Sequence, residues 1–253
     1  MQGMPVFAQR TPHVSGRSAA IARRYGVALQ NRDPRTLVLT TLVLALVGEV
    51  AAFAHLVEDY LTGDPIVRWD VRLATWLHVH AAAPLVRLFE VVTYAGNAVV
   101  LGVLVLTAAF VLVRRRRLND AALLLVAFGG AEVLNGLLKL IFHRPRPELA
   151  FVQLDTYSFP SGHAAASAAT FAAAAWLIGR AWPGWRRRLV VGLVALAAIC
   201  VVGFSRLYLG AHYLSDVLAG ITFGLGWATL CLIAYVLLDD RPLTELLAKR
   251  RVA

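Results

Sequence analysis

The sequence predicts an all-α, polytopic membrane protein: six transmembrane helices in a bundle, with an interfacial helix between the first two spans. Three observations carry that expectation. Of the 253 residues, 59% are hydrophobic and only 16% charged, a balance more apolar than that of water-soluble domains. Apolar runs long enough to cross a hydrocarbon core, roughly 20 residues each, lie near 37–57, 95–113, 121–141, 162–179, 189–208 and 217–238. The basic residues fall in blocks between alternate runs, as loop charges do in multi-pass proteins.

Those blocks organise the chain. Arg10, Arg17, Arg23, Arg24, Arg32 and Arg35 precede the first run, Arg114 to Arg117 follow the second, Arg186 to Arg188 follow the fourth, and Arg241, Lys249, Arg250 and Arg251 follow the sixth. The positive-inside rule places both termini and these two loops in the cytoplasm and turns 58–94, 142–161 and 205–216 outward. The expected organisation is a cytoplasmic tail over 1–35 with a short surface helix near Ser18–Gln30, a membrane domain over 36–240, and a cytoplasmic tail over 241–253. A net charge of +10 distributed this way serves topology, so nucleic acid is not an expected partner.

Within 58–94, Ile66, Trp69, Leu73, Trp76 and Leu77 recur at helical spacing with charged residues between them, which predicts an amphipathic helix in the outer interface. His78 and His80 stand two apart and do not share a helix face, so no metal site is expected there. Cys200 and Cys231 lie inside apolar runs and are read as small hydrophobes. In the fourth run, the small residues from Ala164 to Ala175 allow close helix approach, and Pro183 with Gly184 marks a turn after it.

Chemistry enters at the outward ends, where Lys139, Arg144, Arg146, His163, Arg206, His212 and Asp216 gather at the membrane boundary despite the cost of charge there. Three helix ends on one side bring them toward one pocket. Lys139, Arg146 and Arg206 supply positive charge, the two arginines with forked donors suited to an oxyanion. Pro160 and Ser161 open a helix with free N–H groups, and Gly162 permits close approach, so a dianionic phosphate fits. His212 and Asp216, four apart, are expected on one helix face, with the carboxylate holding one ring nitrogen and freeing the other as a nucleophile. His163 is left to protonate the departing alkoxide. Arg144 is expected to face headgroups or to assist from the rim.

Three stretches then stand out together: "KLIFHRPRP" with Lys139, Arg146 and Pro147; "PSGH" at 160–163; and "SRLYLGAHYLSD" with Ser205, Arg206, His212 and Asp216. In these the sequence resembles the type 2 phosphatidic acid phosphatase (PAP2) superfamily, which also contains the vanadium-dependent haloperoxidases. The motifs cover 139–216 and the spans about 37–238. The resemblance implies a six-helix membrane phosphatase, and the arginine blocks turn its expected site toward the periplasm or cell exterior of the plasma, or inner, membrane. The resemblance implies no metal and no cofactor, and a phosphohistidine on His212 aided by His163 and Asp216. Phosphate would be held by Lys139, Arg146, Ser161, Gly162 and Arg206. The expected partner is a phosphorylated membrane lipid: a polyprenyl diphosphate such as undecaprenyl diphosphate, phosphatidylglycerol phosphate or phosphatidic acid. Two alternatives share such a pocket, a haloperoxidase-like oxidoreductase and a non-catalytic lipid transporter. Oligomeric state is not legible in the sequence.

Overall fold

The computed structural model describes residues 33–63, 65–152, 154–182 and 184–238. The expected tail helix near Ser18–Gln30, Pro183 and the C-terminal tail over 241–253 lie outside them. Among the described residues every regular element is helical: α1 (Pro34–Thr62), α2 (Pro65–Val79), α3 (Ala83–Val92), a 3₁₀ turn (Thr93–Gly96), α4 (Ala98–Arg114), α5 (Leu118–Phe142), α6 (Gly162–Ala181), α7 (Trp185–Tyr208) and α8 (Leu214–Leu238).

Five of these helices, α1, α5, α6, α7 and α8, are each long and apolar enough to cross a membrane. A sixth candidate is a bent pair of helices. The sequence suggests one continuous span over 95–113, whereas α3 with the 3₁₀ turn meets α4 at a bend of 42°. Asn97 is the cause: its backbone is extended, and its side chain accepts from the N–H groups of Val99 and Val100, which starts a new helix where the old one stops.

Helix α6 is the central strut, packed on α5, α7 and α8, and α1 closes the bundle against α8. Its alanines explain that position, since Ala164, Ala165, Ala166, Ala168, Ala169 and Ala173 are all fully buried. On the facing helix, Gly220 and Gly224 admit the α6 backbone. A Cβ at Gly220 would lie 2.5 Å from the Ser161 carbonyl oxygen, and one at Gly224 2.3 Å from that of Ala165. The small-residue face therefore sets how close the two site-bearing helices come. Outward-facing side chains such as Leu44, Val47, Val103, Leu106 and Val194 are exposed, as a lipid-facing surface requires. Cys200 is exposed on that surface and Cys231 is buried, both as free thiols.

The amphipathic segment forms two short helices, α2 and α3, rather than one. The apolar stripe expected on α2 divides into an inward and an outward part: on the inward one, Leu73 and Leu77 pack with Tyr208 and Val217, and Ile66 packs near Phe159. Trp69 and Trp76 point out, at 61% and 56% exposure, in the manner of an interfacial belt. At 100° per residue, positions 66, 70, 73 and 77 make one row. That row places Asp70 against the bundle, where it is fully buried.

Candidate active site

The site is built at one end of the bundle from the end of α5, the loop over 143–161, the start of α6, and the turn between α7 and α8. Lys139 occupies the last turn of α5, and His143, in the left-handed conformation, caps that helix and redirects the chain. The loop is pinned down by Phe159, which is fully buried and packs against Tyr60 and Phe142 with ring centroids 5.3 and 5.0 Å away. Ser158 donates its N–H to the Arg144 carbonyl at 2.8 Å, closing the loop upon itself.

Arg146 is held by several acceptors. Its Nε donates to the Thr156 carbonyl at 2.6 Å, Nη2 to Thr156 Oγ1 at 2.8 Å, and Nη1 to the Ala211 carbonyl at 2.6 Å. The same Nη1 lies 3.2 Å from His212 Nε2. A guanidinium has donors only, so Nε2 must be the acceptor and a neutral His212 carries its hydrogen on Nδ1. On that side Asp216 Oδ2 lies 3.6 Å from Nδ1. Ser158 Oγ, 3.4 Å from Nδ1, donates to the same carboxylate oxygen. Burial pushes the His212 imidazole down to about 3, outweighing the upward pull of Asp216, and so keeps the ring neutral near pH 7.

The pairing of His212 with Asp216 is real but its local geometry differs from that expected. Helix α8 begins at Leu214, so His212 precedes the helix and the two residues do not share a helical face. Asp216 stands instead at the third helical position and reaches back to accept the Tyr213 N–H at 2.8 Å, the return half of a capping box. That bond folds the turn so that the imidazole comes over the carboxylate.

At α6, Ser161 is the N-cap and its own N–H donates to the Asp216 carbonyl at 2.9 Å. Gly162 and His163 are the first helical residues, with Asn135 of α5 beside Gly162. His163 lies within electrostatic range of Arg206, His212, Arg146 and Lys139. Arg206 donates through Nη1 to Thr93 Oγ1 at 2.7 Å, and Lys139 Nζ donates to the Tyr157 carbonyl. Two buried donors, Ser161 Oγ and Arg206 Nε, have no hydrogen-bond partner among the described residues. Such orphaned groups are costly, and an oxyanion would satisfy both.

The structure thus gathers all eight residues expected of the site: Lys139, Arg146, Ser161, Gly162, His163, Arg206, His212 and Asp216. A second expectation about the site is corrected besides the His212–Asp216 geometry. Arg144 is neither on the rim nor facing headgroups; it is 4% exposed and ion-paired to Asp70 and Asp216 at 2.9 and 2.6 Å. The same carboxylates hold its guanidinium above its ordinary value against the opposing effect of burial. Sequence reasoning does not single out Ser158, Thr93 and Asp70, each of which contacts a partner distant along the chain, or Thr156, a loop residue ten positions from Arg146.

The sequence profile of the PAP2 superfamily matches residues 120–239, which contain all eight residues expected of the site. Over this stretch the chain is similar to the PAP2 superfamily. It is 36% identical over 112 residues to phosphatidylglycerophosphatase B of Bacillus subtilis, covering 44% of this chain and 55% of that one. It is 37% identical over 131 residues to decaprenylphosphoryl-5-phosphoribose phosphatase of Mycobacterium tuberculosis, covering 48% of this chain and 64% of the relative. The matched stretch thus spans little more than half of these relatives. The fold is similar to the crystal structure of a transmembrane PAP2-type phosphatidylglycerolphosphate phosphatase from Bacillus subtilis, with a TM-score of 0.70 and 26% identity over 76% of this chain and 98% of that one.

Proposed function

We propose that this protein is a lipid phosphatase that removes the terminal phosphate from a membrane-embedded phosphate or diphosphate ester through a phosphohistidine on His212. The observation that carries this reading is the nucleophile's geometry: a neutral imidazole with Nε2 unprotonated beside Arg146, and Asp216 behind Nδ1. Lys139, Arg146, Arg206, Ser161 and the first N–H groups of α6 would hold the phosphoryl oxygens, because phosphoryl transfer depends chiefly on positioning and on neutralising charge. The Nε2 lone pair would form the N–P bond as the P–O bond to the lipid breaks, and His163 would protonate the departing oxygen. Deprotonated again, His163 would draw a proton from water, whose oxygen displaces His212 and yields inorganic phosphate.

The relatives named as acting on phosphatidylglycerophosphate and decaprenylphosphoryl-5-phosphoribose support a lipid phosphate as the substrate class. The arginine blocks support cytoplasmic termini and a pocket facing the periplasm or exterior of the plasma membrane, where a polyprenyl diphosphate used in envelope synthesis is the favoured substrate. Two experiments test this. Purified protein in detergent with EDTA is expected to release phosphate from at least one of a polyprenyl diphosphate, phosphatidylglycerol phosphate and phosphatidic acid; failure with all three overturns the assignment. A reporter fused after Val113 is expected to be cytoplasmic, and an external reporter reverses the orientation.

A further inference from the structure

Asp70 lies on α2 between two exposed residues, Trp69 and Val71, yet is itself 0% exposed. Its Oδ1 accepts the Ser215 N–H at 2.9 Å, and its Oδ2 accepts from Ser215 Oγ and, at 2.9 Å, from Arg144 Nη2. Arg144 uses its other terminal nitrogen, Nη1, on Asp216 Oδ1 and Ser215 Oγ, both at 2.6 Å. The rings of Tyr60 and Tyr213 lie 5.0 and 4.5 Å from the guanidinium carbon. The cluster thus joins the interfacial helix α2, the loop after α5, and the first turn of α8.

A planar guanidinium presents its donors in a rigid fork, so gripping Asp70 with one nitrogen and Asp216 with the other fixes the second carboxylate relative to the first. Arg144 occupies Oδ1 of Asp216, which leaves Oδ2 to face His212 Nδ1. Buried charge triads are a weak source of net stability, because desolvation offsets much of their attraction. Their effect here is orientation. Without that grip Asp216 would be held through Oδ2 alone, by Ser158 and the Tyr213 N–H, and the carboxylate could swing about that oxygen, weakening the interaction with Nδ1 that favours the hydrogen on the far side from the phosphate.

We infer that Asp70 and Arg144 are positioning residues, through which the interfacial helix fixes Asp216 and hence the tautomer and ring orientation of His212. This rests on the reading of His212 as nucleophile. Neither residue touches the reacting atoms.

The test rests on Asp70→Asn, which preserves side-chain volume; Arg144→Ala, which empties a buried site, is the companion. Asp70→Asn is expected to lower kcat on the order of 10²-fold, the scale of a misplaced catalytic group, with KM changed by less than about threefold because phosphate binding is untouched. The double variant is expected to be no worse than Arg144→Ala alone, since both changes break one chain of contacts. A second readout needs no turnover. In ¹⁵N-histidine spectra of the protein in detergent, with His212 assigned by its absence in His212→Ala, wild type is expected to show the Nδ1–H tautomer and Asp70→Asn a shift toward Nε2–H. If Asp70→Asn melts at a lower temperature while kcat and the His212 signal stay as in wild type, the cluster is a structural staple and the inference is overturned. If wild type hydrolyses no lipid phosphate, the proposed function fails separately, and the tautomer comparison alone decides the positioning role: a shift supports it and an unchanged spectrum overturns it.

Discussion

His212→Ala is expected to reduce phosphate release by roughly 10⁴-fold or more, because it removes the atom that bonds to phosphorus while leaving the cationic pocket in place. The side chain is 3% exposed, so truncation leaves a small cavity, but the turn around it is held by bonds that do not pass through the ring. Tyr213 still donates its N–H to Asp216, and Arg146 still donates to the Ala211 carbonyl. Lipid binding should therefore survive the loss of turnover. The check is phosphate release beside binding of the same lipid; a variant that binds and still releases at a tenth of the wild-type rate removes His212 from the chemistry.

Asp216→Asn is expected to cost both activity and stability. Four groups converge on this carboxylate: Arg144, Ser158, the Tyr213 N–H and His212. An amide presents one acceptor and one donor where two acceptors were used, so one of these partners faces an N–H. The imidazole loses its reason to carry hydrogen on Nδ1, an effect that lowers kcat by about 10⁴-fold where a carboxylate orients a catalytic histidine. Arg144 is left with Asp70 as its single anionic partner, and breaking a buried ion pair destabilises by about 3 kcal/mol or more. Measured in detergent, the variant should melt well below wild type and below His212→Ala. Equal melting temperatures for the two variants would mean that the carboxylate does not hold the turn.

The membrane architecture and the candidate site's composition rest on the sequence in different ways. Span positions follow from long apolar runs, whose length is set by the bilayer rather than by tertiary packing. The eight candidate-site residues could be proposed because Lys139 and Arg146, the stretch 160–163, and Arg206 to Asp216 are each local in sequence and each placed at a helix end. Local structure within those stretches was less legible. His212 and Asp216 suggested a shared helical face because they are four apart, whereas a helix start between them produces the contact by another route.

Contacts between distant segments were not legible at all. Arg144 pairs with Asp70, 74 residues away, and nothing in the composition around either residue distinguishes that pair from two solvated charges. The amphipathic pattern even argued the other way, since Asp70 sits between residues that do face outward. Likewise Ser158 is one hydroxyl in a polar loop until the fold brings it to Asp216, 58 residues on. The break at Asn97 lies inside a run whose average hydropathy conceals it, because a single capping side chain scarcely changes that average.

The most direct measurement is rapid-quench labelling with a lipid carrying ³²P in its terminal phosphate, followed by alkaline electrophoresis, which preserves phosphohistidine. Wild-type protein quenched during turnover is expected to carry label on His212, and His212→Ala to carry none. Label on another residue, or equal labelling of the His212→Ala protein, would contradict catalysis through His212.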